Sequence, residues 1–240
     1  MADLPSFVSC PAHVRAVDFG HVLVLIDYAT GGVRCLLPAA SISWHRAART
    51  GRSDSMSPAL AHRLVALGLL APAPAAAPWS APVNADPAPP SWGSTEHPAG
   101  TSHPSRTPLT ATLGAAVGLS VAFTATRLGG MRGLINLLDT AASTCRRPAT
   151  PAQVNAAVLA VRRAGWYAPG RTACLEESAA AVLLLAGRHR AVRWCHGVAS
   201  DPVRLHAWVQ TEDGAHAAEP PSTRAYTPVL TIGGRHQHHP

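Results

Sequence analysis

Three short runs of β-branched or apolar residues open the chain: Val14 to Val17, Val22 to Ile26 and Val33 to Leu37. Asp18-Phe19-Gly20 and Thr30-Gly31-Gly32 separate them in the manner of hairpin turns. The period then lengthens. Pro38 to Ala48 places Ala40, Trp44 and Ala47 along one side of a helix. Ser57-Pro58 supplies a cap and a first-turn proline for a second helix, in which Leu60, Leu64 and Leu67 recur until Gly68 stops it. Residues 1–70 thus read as a first domain of three small strands and two helices.

From 71 to 108 the pattern lapses. A-P-A-P-A-A-A-P-W-S-A-P and the prolines that follow have no apolar period, and proline removes the N–H groups that helix and sheet need. An extended linker with exposed Trp79 and Trp92 is expected there. Residues 107–126 carry no charge over about the length of a membrane span. Thr, Ala and Gly dominate that stretch, so its transfer into lipid is weakly favoured. A helix packed on the following domain, or touching a membrane-bound partner, is expected rather than a span. Thr150-Pro151-Ala152-Gln153 starts another helix with a capping signature, and Val154, Ala157, Val158 and Val161 mark its buried face. Cys174 to about Ala186 is an Ala/Leu helix behind a Gly/Thr-rich loop. Two alternating runs close the pattern, Val192 to Val198 and Leu205 to Gln210, with Asp201-Pro202 turning the chain between them. The order of elements over residues 109–240 makes a second domain, and the fold class is α+β.

Composition changes this picture in three places. Hydrophobic residues make up 47% of the 240, enough for a core, while 22 prolines fit an unpacked stretch. The formal charge is +7 and every basic residue other than histidine is Arg, with no Lys. That bias, with abundant Ala, Pro and Gly, is one of genome composition, and no Arg cluster interleaves with aromatics, so no nucleic-acid partner is expected. Five cysteines, an odd number with no CxxC pair, exclude a disulfide framework and an ordinary zinc site. The start M-A-D-L-P-S-F lacks a secretory pattern, and a cytoplasmic location follows as the expectation. The terminal G-G-R-H-Q-H-H-P lacks the supporting ligands of a fixed metal site, so no metal and no cofactor are assigned.

Candidate chemistry centres on Cys174. The N–H groups and positive end of a helix favour a thiolate at its first residue and stabilise a developing oxyanion. A sheet packed on this helix brings His206 opposite the thiol as its proton acceptor. Glu219, beyond the Asp213-Gly214 turn, falls where a returning segment orients the imidazole. Ser178, one turn along the helix, either shapes the site or packs. His196 and Cys195 read as packing residues, Trp208 as a wall of pocket or core.

The pattern H-V-L-V-L-I-D-Y-A-T-G-G-V-R-C-L-L-P, with a Trp in the next helix and A-L-G-L-L after it, resembles the peptide-recognition element of ribosomal-peptide maturation systems. That resemblance implies a winged-helix-like domain in which a leader peptide adds as a strand beside Val33, Arg34, Cys35 and Leu36, with Leu64 and Leu67 lining the groove. Further on, C-L-x-x-S, G-V-x-x-D-P and H-A-W-V-Q resemble the papain- and transglutaminase-like cysteine peptidases that process lasso-peptide precursors. The likeness covers roughly 149–232. It implies Cys174 as nucleophile, His206 as general base and then acid, and an acid shortly after the H-A-W-V strand. A-A-E-P offers Glu219 for that place, whereas Asp213 has the look of a turn residue. It also implies removal of the leader from a precursor before ring closure by an asparagine-synthetase-like, ATP-using cyclase as partner. A transferase that passes the acyl group to an amine, and an adaptor that presents precursor without catalysis, are the other readings.

Overall fold

The computed structural model describes residues 4–85, 108–168, 170, 172–200 and 202–234. The chain divides into two compact units, Met1–Ala88 and Pro89–Pro240. In the first, β1 (Val8–Ser9), β2 (Val14–Asp18), β3 (Leu23–Asp27) and β4 (Gly32–Leu36) precede α1 (Pro38–Thr50) and α2 (Pro58–Ala66), and β5 (Ala71–Pro72) and β6 (Val83–Asn84) follow. β2, β3 and β4 form an antiparallel meander, and the sheet order is β4-β3-β2-β6. All five residues of β3 are buried, which is why Leu23 to Ile26 form a continuous apolar run rather than an alternating one. Trp44 and Ala47 of α1 and Ala61 and Leu64 of α2 pack on Leu23 and Leu25 in one core. The side-chain oxygen of Ser57 accepts from the N–H of Leu60 and caps α2, as its sequence signature requires.

The proline-rich stretch differs from the expected free linker. Its first part is a strap on this unit: β5 pairs with β1, and β6 adds to β2 in parallel. Trp79 stands edge-on to Trp44 with ring centres 5.9 Å apart, and its backbone N–H donates to Ala48. Prolines interrupt a ladder but leave the residues between them free to pair, and a tryptophan gains more from a partner ring than from water. Trp92 and the remainder, 86–107, lie outside the described residues, as does the His-bearing end from 235.

The second unit comprises α3 (Leu109–Ser143), β7 (Arg147–Pro148), α4 (Pro151–Trp166), α5 (Cys174–Ala186), β8 (Arg190–Ala191), β9 (Arg193–Ser200), β10 (Val203–Gln210) and β11 (Thr227–Ile232). β10, β9 and β11 form an antiparallel sheet in that order, and β7 pairs with β8 separately. α3 bends sharply at Gly130, whose φ of 60° lies outside the helical region. Before the bend its small residues let it approach α5 closely: a Cβ on Gly118 would stand 3.1 Å from the Ala180 carbonyl. α3 is long and apolar enough to cross a membrane, with a mean hydropathy of 1.5 over its most apolar window. Here it packs on α5 and α4, with Leu109, Leu113 and Val117 exposed. The capping box that starts α4 is formed by Thr150 and Gln153.

Candidate active site

Cys174 is the first residue of α5, half-buried, with Ala173 as the N-cap. The backbone N–H of Ala173 donates to Oε2 of Glu176 at 3.3 Å, so the acid of the first turn helps to close the helix start. Behind the thiol, α5 is fastened to the sheet by Ser178. Its hydroxyl accepts from Nε1 of Trp194 at 2.8 Å and donates to the Leu175 carbonyl. Ser178 therefore holds the helix on β9, and it also lines the cavity of Cys174.

The register of β9 and β10 sorts the remaining residues by face. His196 pairs with Ala207 and Trp194 with Val209, on the side that meets Ser178 of α5. His206 pairs with Gly197 and Trp208 with Cys195, on the other side. Trp208 lies so close over the sheet that a Cβ on Gly197 would come within 2.8 Å of its ring, so only glycine fits there. The His206 ring is stacked on Trp208 and tilted against Tyr226, with centroids 5.9 Å and 5.1 Å away. β10 is the outer strand of the sheet, and beyond it the chain turns back along its free edge. Gln210 bridges to His216, and the N–H of Ala217 donates to Val209. Two residues on, that returning segment sets Glu219 beside His206.

The resulting contacts are specific. Nε2 of His206 lies 2.9 Å from Oε2 of Glu219, and Cys174 lines the same cavity, close enough to favour the charged ring. With Nε2 committed to the carboxylate, Nδ1 is the nitrogen left for the sulfur. Burial opposes a charge on His206, but the hydrogen bonds and charge interactions with Cys174 and Glu219 outweigh it and hold the imidazole up to about 9. Cys174, His206 and Glu219 share the lining of one small cavity with Arg162, Glu177 and Val158.

Glu219 is held from behind. Arg162 Nη2 donates to its Oε1 at 2.9 Å, and Thr223 Oγ1 donates to Oε2 at 3.1 Å. Arg162 Nη1 donates to the carbonyl of Ala218, a residue in the left-handed region at φ 52°. Burial pushes Glu177 up, with Thr172 and Arg162 opposing that and Glu219 and Glu176 adding to it. Arg162 had a visible trace in the sequence: it continues the stripe Val154–Val158 at four-residue spacing, a charge on an apolar face of α4. Tyr226 and Thr223 had none, because the turn and the short 3-10 segment at Pro221–Ala225 that place them have no period.

Of the other residues singled out from sequence, Asp213 sits exposed in the turn, accepting from Thr211 Oγ1, and does not reach the imidazole that Glu219 holds. Cys195 is buried, its thiol pushed up to about 11 by burial. His196 is buried and stacked with Trp194, and burial together with the charge on His206 drives it down to about 4. In the first unit Val33, Arg34, Cys35 and Leu36 lie on β4, the outer strand, with Arg34 and Cys35 exposed and Leu36 buried. Leu67 is partly buried. Leu64 is 2% exposed inside the core, which corrects its place in a groove: it has no surface to offer a ligand. Among the described residues no group of three or more His, Cys, Asp or Glu is arranged to hold a metal.

Residues 115–231 match the family model of the transglutaminase-like superfamily. The second unit thus carries a transglutaminase-like domain, of a superfamily that generally contains cysteine-type enzymes. No curated protein and no solved structure matches the chain significantly.

Proposed function

We propose that this protein is a cysteine peptidase that removes the leader from a lasso-peptide precursor, ahead of ring closure by an asparagine-synthetase-like cyclase. The observation that carries the reading is the meeting of Cys174, His206 and Glu219 in one cavity of a transglutaminase-like domain, with His206 bonded to Glu219. An imidazole held up to about 9 is charged at neutral pH, so His206 already holds the proton that the leaving amine takes. The sulfur attacks the scissile carbonyl, and the C–N bond breaks as His206 passes its proton to the leaving amine. Water, losing a proton to His206, then hydrolyses the thioester and restores the thiol. Glu219, held by Arg162 and Thr223, fixes the ring and balances its charge throughout. The N–H groups at the start of α5 face the charge that develops on the carbonyl oxygen.

In this reading the first unit is a winged-helix-like module that receives the leader as a strand along β4. The free edge of that strand, with Arg34 and Cys35 exposed, supports it. Val33 and Leu67 remain the side chains suited to a groove. The superfamily match also favours a second outcome at the same thioester, attack by an amine instead of water, giving an isopeptide. Incubation of the full chain with a leader–core peptide, read by mass spectrometry, separates these: two fragments for hydrolysis, one joined product for transfer. Cys174→Ala is expected to bind the leader and leave the peptide intact. Cleavage at the wild-type rate by that variant would sink the assignment.

A further inference from the structure

A second cleft, of about 200 Å³, adjoins the start of α5. Leu119, Ser120 and Phe123 of α3 form one wall, and Thr172 and Glu176, which flank Cys174 in the chain, form the other. A hydrogen bond joins the lining of this cleft to that of the thiol cavity. Thr172 Oγ1 donates to Glu177 Oε1 at 2.6 Å, and Glu177 belongs to the cavity of Cys174. Glu176 lies less than one helical turn from Cys174, roughly 5 Å along and around the helix. An extended peptide advances about 3.3 Å per residue. A side chain one or two residues from the bond under attack therefore reaches this cleft without leaving the strand conformation.

We infer that the cleft is the specificity pocket of the peptidase and takes a large apolar, non-acidic side chain within two residues of the scissile bond. The inference rests on the hydrolase reading above and adds the substrate's side-chain class to it. The occupant follows from continuity with the thiol site and from the lining. Leu119, 7% exposed, forms an apolar floor, while Phe123, 50% exposed, offers a ring face. Arg127 lies over the Phe123 ring at 5.2 Å and steadies it. Glu176 at the edge sets a carboxylate where an acidic side chain would enter, so Asp and Glu are disfavoured there by like charge. At about 200 Å³ the cleft is smaller than the usual site for a whole small molecule, but it has room for one large side chain and far exceeds what an alanine would fill.

The test uses the full chain and a positional-scanning library of internally quenched octapeptides, with cleavage sites read by mass spectrometry. One position within two residues of the cut should prefer Leu, Met or Phe over Asp by at least tenfold. Ser120→Trp, a change at an exposed helix position that fills the cleft, should cut kcat/KM for Phe-bearing peptides about tenfold or more and spare Ala-bearing ones. Alkylation of Cys174 by iodoacetamide should proceed at the same rate in both proteins, which separates a blocked pocket from a damaged thiol. A preference unmoved by both Ser120→Trp and Phe123→Ala overturns the inference. If wild type cuts no library member, the hydrolase reading fails, and the cleft is judged by binding alone. Cys174→Ala protein irradiated with a peptide bearing benzoylphenylalanine should then crosslink at 119–123 on α3, and lose the crosslink with Ser120→Trp. Crosslinks confined to other segments overturn it.

Discussion

His196 and His206 lie on adjacent strands of one sheet, one residue apart in register, and face opposite sides. Both are mostly buried, yet one is driven down to about 4 and the other held up to about 9. Burial pushes both the same way, so burial cannot be the discriminator. The difference is what each face supplies. On the side of α5, His196 meets Trp194 and feels the charge of its neighbour His206. His206 instead meets, at the outer edge of β10, the thiol at the start of α5 and a carboxylate that is anchored twice more. One residue of register separates a neutral packing histidine from a charged one set between a thiol and a carboxylate.

The largest break in that contrast should come from Glu219→Gln. The amide keeps the shape but removes the charge facing Nε2, and allows the wrong ring nitrogen to hold the proton. Cleavage should fall by about 10⁴-fold, the loss that follows when the third member of a serine triad is neutralised. The His206 titration, followed by NMR, should move down from about 9 toward the ordinary imidazole range. A midpoint unchanged in the variant would mean that Cys174 alone sets the charge of the ring. The sign for stability is fixed by the same shift. A folded pKa above the unfolded value gives stability that is full below about 6.5 and is lost as pH rises toward about 9. Glu219→Gln should flatten that alkaline limb.

Arg162→Ala comes next. It strips one oxygen of Glu219, a carboxylate only 5% exposed, of its partner, and also frees the Ala218 carbonyl. Breaking one side of a buried pair costs about 3 kcal/mol, to be read as a shift in the urea midpoint. Arg162→Lys keeps the charge without the two-point grip, so it should recover part of the stability and little of the activity. Equal loss in both variants would mean that geometry, not charge, is what Arg162 contributes.

How much of this was legible beforehand follows from which forces are local. The helix starts at Ser57, Thr150 and Cys174 and the alternation in β9 and β10 are written in short windows, and the structure has them there. The approach of Glu219 to His206 was readable because a single turn, at Asp213-Gly214, folds one segment onto the edge of the next. The strap through Trp79 was not, since a lone tryptophan among prolines shows nothing of the ring it will meet. Leu64 was misplaced for a related reason: periodicity tells which side of α2 is apolar but not what covers that side. Arg162 violated its own stripe, and a charge on a buried face is a signal of a partner elsewhere in the chain.

The smallest effect, and the sharpest control on the contrast, belongs to His196→Gln. A folded pKa below the unfolded one gives stability that is full above about 6.5 and is lost as pH falls toward about 4. His206 is fully protonated in both folded and unfolded chains near the bottom of that range, so it adds no slope there. His216, also held low by burial, does add to the acid limb, which makes the difference between wild type and variant the quantity to measure. Glutamine preserves polar groups and removes the titration. Urea unfolding between pH 5 and about 6.5 should therefore show a slope smaller in the variant by up to about 1.4 kcal/mol per pH unit, the effect of one proton. Cleavage at neutral pH should change little, because His196 lies on the α5-facing side and gives nothing to the carboxylate of Glu219. A large loss of cleavage would show that the two histidines act as one coupled pair across the sheet rather than as separate occupants of its two faces.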